Sequence, residues 1–91
     1  MAIVVEFNFP GMAAGEYDTV LSRLESKGVG SPDGRMYHVA APSSGGWFVT
    51  DVWESQEQFD TFGEVLIPTL QAAGVTPAIP EVRPVHNIIT G

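Results

Sequence analysis

Five residues, Pro42-Ser43-Ser44-Gly45-Gly46, separate two runs of strand character, Arg35–Ala41 and Trp47–Glu54. A link this short and glycine-rich joins antiparallel neighbours, because a parallel crossover needs about a dozen residues or more. The hairpin fixes the middle of the fold, and its flanks fix the rest. Upstream, Tyr17, Val20, Leu21 and Leu24 recur at i, i+3, i+4 and i+7, which predicts a one-sided helix over Ala13–Lys27. Its wet side carries Glu16, Asp18, Arg23 and Glu25. It lacks a good N-cap, although Glu16 and Asp18 suit the positive end of the helix dipole. Gly28 closes it, and Gly30 to Gly34 read as a loop. Downstream, Ser55-Gln56-Glu57-Gln58 is a Ser-x-x-Gln capping box that starts a second helix. Phe59, Phe62, Leu66, Leu70 and Ala73 line its buried face, and Gly74 ends it. Pro68 removes one helical hydrogen bond and is expected to bend or interrupt this helix near Ile67.

Two further strands complete the pattern. Ala2–Phe9 is β-branched and apolar on both faces, as a central strand is, and Pro10-Gly11 ends it. Val82–Ile89 reads as the last strand, after a connector over Val75–Pro80. The order βαββαβ, with helices after strands one and three, is the ferredoxin-like split βαβ pattern of an α+β domain spanning residues 1–91. Two right-handed crossovers give a four-stranded antiparallel sheet of order 4-1-3-2 with both helices on one face. The other face is left bare. Val4, Phe48, Val52 and Val85 cannot all face water there, and a second sheet packed against them is the natural cover.

Composition points the same way. A 91-residue chain has a modest core and gains support from disulfides, a metal or self-association. There are no cysteines, and only two histidines, widely spaced, so a structural zinc has no ligand set. Charged residues are 16% of the chain, against the roughly 25% usual for globular domains. Too little charge for so much surface implies a homodimer through the open sheet face. Net charge is −7 with only Arg23, Lys27, Arg35 and Arg83 positive, so no basic patch exists for nucleic acid or an anionic membrane. No apolar run approaches the ~18 residues of a membrane span. The opening Met-Ala-Ile-Val-Val has no positive n-region and meets Glu6 early, so it reads as strand rather than signal peptide, and the cytoplasm is the expected compartment.

Strand parity sorts the hairpin's side chains. Met36, His38 and Ala40 share a face with Trp47, Val49, Asp51 and Trp53, while Arg35, Tyr37 and Val39 go with Phe48, Thr50 and Val52. The first set has the chemistry. His38 can take a proton from a phenol-like molecule near neutral pH, and Asp51, about one residue diagonal across the hairpin, can orient the ring. The alternatives are plain: a strand histidine bonded to its neighbours, and a carboxylate serving a loop or paired with Arg35 or Arg83. Trp53 can stack on an aromatic ligand or fill the core. Phe62, on the buried face of the second helix, would wall the same pocket.

The stretch Asp51-Val52-Trp53-Glu54-Ser55-Gln56-Glu57-Gln58-Phe59, a strand ending in Trp, a Glu-Ser cap and an amphipathic helix opening on Phe, together with the element order, resembles the dimeric α+β-barrel superfamily. Within it, the resemblance is to the antibiotic-biosynthesis-monooxygenase (ABM) domains. It implies a homodimer with sheets face to face and a pocket in each subunit between sheet and helices. Some members oxidise polyketide-type aromatics without metal or flavin, and others bind and degrade haem. The haem-degrading members pair a strand-end Trp with an Asn on the first strand and a His on the second helix. Trp53 and Asn8 match two of these, but no histidine lies between Val39 and Val85, so the third is missing. Asn8 would then orient a carbonyl or peroxide, or else hold a strand end.

Other templates are absent: no G-x-G-x-x-G, P-loop, H-E-x-x-H or G-x-S-x-G. His86 and His38 fall on opposite sheet edges, about 14 Å apart at ~4.8 Å per strand, too far for one metal within a subunit. His86-Asn87 is assigned to the sheet edge or dimer interface. The expectation is a dimer that binds a small apolar or aromatic molecule without a cofactor. His38 and Asp51 would be catalytic in a cofactor-independent monooxygenase, with Asn8, Trp53 and Phe62 binding substrate. The alternative is a non-catalytic binding or structural module.

Overall fold

A computed structural model describes residues 1–91. The elements run β1 (Ile3–Pro10), α1 (Ala14–Ser26), β2 (Arg35–Ser43), β3 (Gly46–Trp53), α2 (Gln56–Ala72) and β4 (Glu81–Pro84). One antiparallel sheet has the order β2-β3-β1-β4, with β1 and β3 central. This is the ferredoxin-like α+β fold that the hairpin and its two flanking helices define.

The hairpin is tighter than its five-residue link. Pro42 pairs with Trp47 and Ser43 with Gly46, leaving Ser44 and Gly45 as the turn. Gly45 takes φ +76°, a region that β-carbons disfavour. At Gly46 a β-carbon would collide with the backbone carbonyl of Phe9, so glycine here lets β3 lie close against β1.

The core occupies one side of the sheet. On β1 the odd residues Ile3, Val5, Phe7 and Phe9 are buried, and on β3 Val49, Asp51 and Trp53. Val20 and Leu24 from α1 and Phe59, Phe62 and Leu70 from α2 pack down on them. Trp53, fully buried, touches Phe59 and Phe62 at centroid distances of 5.6 and 5.3 Å. Burial of a side chain of this size, about 150–250 Å², makes it the centre of the core. At the far end the two helices are stapled together. Lys27 Nζ donates to Thr69 Oγ1 (2.8 Å), which donates to the Val65 carbonyl (2.7 Å). Thr69 is wholly buried, which its polarity gives no reason to expect.

Three expectations are corrected. Of the bend or interruption expected at Pro68, the interruption does not occur: α2 runs unbroken from Gln56 to Ala72 with the proline inside it. β4 ends at Pro84 rather than Ile89. Its ladder has reached Ile3, the first residue of β1, and Pro84 brings no N–H to continue it. One more bond follows, from Val85 N–H to the Ala2 carbonyl, and His86 lies beyond the strand, exposed. Third, a bulge between Arg35 and Tyr37 shifts the start of β2, so that Arg35 stands opposite Trp53 and Tyr37 opposite Val52. The extra residue, Met36, turns outward, half exposed, and Arg35 joins the helix side of the sheet.

Candidate functional site

Because the β2–β3 register is set beyond the bulge, His38 lies directly opposite Asp51 rather than diagonal to it. Both face the helices. His38 Nδ1 and Asp51 Oδ1 are 2.6 Å apart, and Asp51 Oδ2 accepts from Trp53 Nε1 at 3.4 Å. The carboxylate is 4% exposed and the imidazole 21%, so the acid is sealed behind a ring that still meets the surroundings. A carboxylate only accepts hydrogen bonds, so the Nδ1 proton belongs to His38, and in the neutral ring Nε2 then carries the lone pair.

That lone pair is engaged. Tyr17, from the first turn of α1, brings its hydroxyl to 2.5 Å from His38 Nε2, with the two rings within 4° of parallel. The phenol donates and the imidazole accepts. The result is a chain Tyr17–His38–Asp51–Trp53 that crosses from helix to sheet to core. Burial holds the Tyr17 phenol above its ordinary pKa of 10.0; the negative charge of Asp51 adds to this, and Arg35 opposes it. Trp47 packs against the Tyr17 ring at 5.4 Å, and its indole N–H is buried with no acceptor.

Tyr17, His38 and Asp51 edge a small cavity between sheet and helices, about 40 Å³, with Phe7, Phe9, Val20, Leu24 and Phe62 among its apolar walls. Arg35 lines it too, held by a 3.0 Å bond from Nη2 to the Gly30 carbonyl, and is its one cation. Two larger clefts, about 430 and 450 Å³, lie along α2 and touch neither His38 nor Asp51.

Of the five residues expected from the sequence, His38, Asp51 and Phe62 meet at this cavity. Trp53 stands behind it, bonded to Asp51. Asn8 is not brought to them: it alternates with buried Phe7 and Phe9 and points from the opposite face of the sheet, exposed. Tyr17 and Arg35 are the members that sequence reasoning missed. Tyr17 stood in a stripe of aliphatic residues, where its one polar atom was the available signal; Arg35 was hidden by the bulge. No group of three or more His, Asp or Glu side chains is arranged to hold a metal ion.

The architecture is shared with solved structures. No family model and no curated protein matches the chain in sequence. By structure, it resembles the ABM fold group. SnoaB, a cofactor-independent oxygenase from Streptomyces nogalater, superposes with a TM-score of 0.65 at 14% identity, over 99% of this chain and 97% of that one. A protein assigned as an antibiotic biosynthesis monooxygenase from Deinococcus radiodurans gives 0.62 at 16% identity, over 99% and 97%. A variant of MhuD with two manganese protoporphyrin IX molecules bound per active site gives 0.59 at 17% identity, over the whole of both chains. At these identities the likeness is one of fold.

Proposed function

We propose that the protein is a cofactor-independent monooxygenase for a small aromatic molecule held between the sheet and the helices, working as a homodimer. The observation that carries this reading is the His38–Asp51 pair: a carboxylate-oriented imidazole whose Nε2 lone pair is turned toward an apolar cavity and already accepts from a phenol. Cofactor-free oxygenation needs a base. Removing a proton from a hydroxyarene makes the ring electron-rich enough to reduce dioxygen; addition at a ring carbon gives a hydroperoxide, and loss of water leaves a carbonyl. One oxygen atom ends in the product and the other in water. His38 takes the first proton, Asp51 stabilises the imidazolium, and Arg35 lies within the same lining to oppose the negative charge that develops. The fold shared with SnoaB supports the oxygenase class.

A second reading, a binding module without chemistry, is favoured by one observation: the cavity as it stands is only about 40 Å³. Oxygen uptake separates the two. With a panel of hydroxyarenes, the wild-type protein is expected to consume one dioxygen per quinone formed. His38→Gln, which keeps a donor for Asp51 but no base, is expected to lower that rate by roughly 10²-fold or more. Aromatic binding with no oxygen uptake by the wild type establishes the binding module instead.

A further inference from the structure

A cavity of about 40 Å³ has space for two or three water molecules, whereas a benzene-sized site is on the order of 150 Å³. An aromatic molecule therefore enters only if a wall moves. Most walls cannot: Phe7, Phe9, Val20, Leu24, Val49 and Leu70 are buried core residues anchored on the sheet or deep in the helices. Tyr17 is different. It is only partly buried and sits in the first turn of α1, after Ala14 and Gly15, both exposed. No side chain accepts from the free N–H groups of that turn; beyond the helix's own first bond, Tyr17 N–H to the Ala13 carbonyl at 3.1 Å, its start is tied by Ala13 N–H to Glu16 Oε1 at 3.0 Å and by the Thr19 hydroxyl on the Gly15 carbonyl. The end of a helix without a cap is the part that opens at least cost.

The contacts of the Tyr17 ring are those a bound phenol would make. Its hydroxyl donates to the lone pair of an oriented imidazole, and its ring lies against the Trp47 indole. We infer that Tyr17 is the chain's own occupant of the ligand position, and that a planar hydroxyarene binds by displacing the Tyr17 phenol and donating its hydroxyl to His38 Nε2 instead. This rests on the proposed aromatic pocket and adds three things to it. The ligand class narrows to aromatics with a hydroxyl group, since a plain hydrocarbon leaves the imidazole without its partner. The hydroxyl is placed at the base, the position from which the proton is removed. And the free protein keeps its base covered, so His38 meets a proton donor at all times.

Calorimetric titration of wild type, Tyr17→Phe and Tyr17→Ala tests this, using 1-naphthol, naphthalene, p-cresol and toluene, with the imidazole ¹⁵N resonances of His38 as a second readout. Wild type is expected to bind 1-naphthol and not naphthalene. Tyr17→Phe, whose ring leaves without breaking an O–H···N bond, is expected to bind 1-naphthol roughly five-fold more tightly. Tyr17→Ala is expected to take p-cresol, close to the group removed, at least about ten-fold more tightly than toluene, restoring the wild-type His38 resonance. If 1-naphthol binds wild type and Tyr17→Phe equally and leaves the His38 resonance unmoved, self-occupancy is wrong while the aromatic pocket stands. Equal binding of p-cresol and toluene by Tyr17→Ala also overturns it. If none of the three proteins binds any of the four probes, the aromatic pocket itself is wrong.

Discussion

The most demanding residue in the molecule is Asp51. A carboxylate 4% exposed is costly unless its oxygens are met, and here one is bonded to His38 and the other to Trp53. Parity along two strands was enough to place His38, Asp51 and Trp53 on one face, because alternation is a property of the backbone alone. Two other members were hidden for distinct reasons. Arg35 changes face through a one-residue bulge, which no local sequence pattern announces. Tyr17 obeys helical spacing perfectly well, and spacing does not tell an aromatic that fills space from one that reaches across to a base. Its titration gives a test at this scale. A phenol whose pKa is raised in the folded state keeps its proton after the unfolded chain has begun to lose it at about 10. The stability this contributes is present in full below that value and declines as pH rises through the raised pKa. Denaturant unfolding at increasing alkaline pH is therefore expected to show a downward slope for wild type that Tyr17→Phe lacks. Equal slopes would mean that Tyr17 titrates as it does in water.

At the scale of elements, the two helices illustrate how much a cap matters to what can be read. α2 is announced by its own start: Ser55 Oγ accepts from the Gln58 N–H at 3.2 Å, the Ser half of the capping box, while Gln58 Oε1 accepts from the Ser55 hydroxyl at 2.9 Å rather than from its backbone N–H. It also survives Pro68, because its buried face, Phe59, Phe62, Thr69 and Leu70, holds both halves against the sheet. The end of β4 was less readable, since a strand's length is set by its partner and not by its own β propensity. α1 carries half of a capping box. Glu16 reaches back to Ala13 N–H, and Ala13 has extended backbone (φ −111°, ψ 167°) suited to a cap but no oxygen to offer. Ala13→Ser supplies it. A completed cap contributes about 1 kcal/mol, or roughly 4–8 °C in a domain of this size. Thermal melting followed by circular dichroism is expected to show that rise, and an unchanged midpoint would mean that Glu16 alone already satisfies the turn.

At the scale of the molecule, the isolated chain is under-covered. Only 15 of 91 residues are buried, and the accessible surface of 5598 Å² exceeds the ~5,200 Å² that scaling gives for a compact monomer of this mass. Part of the uncovered surface is apolar and gathered on one face. On the sheet face away from the helices, Val4, Phe48 and Val52 are half-buried and Tyr37 and Val39 are about half exposed, an apolar group over β1, β3 and β2 interrupted by Thr50 and bordered by Glu6 and Asn8. Toward β4 the same face turns charged, with Arg83 paired to Glu6 and Glu81. A second copy related by a two-fold axis would cover the apolar part and leave the ion pairs at the rim, where charges are easily solvated. A standard interface hides about 800 Å² per partner. The expected outcome is a light-scattering mass of twice 9.8 kDa at micromolar concentration. Val39→Glu separates assembly from folding. Because Val39 is already 54% exposed in the single chain, the substitution costs the fold little, within about 0.5 kcal/mol, yet it sets a carboxylate against its symmetry mate's apolar face. The variant is expected to elute at the single-chain mass with an unchanged circular dichroism spectrum. A wild type that already scatters as one chain would leave the open face to water and remove the homodimer from the proposal.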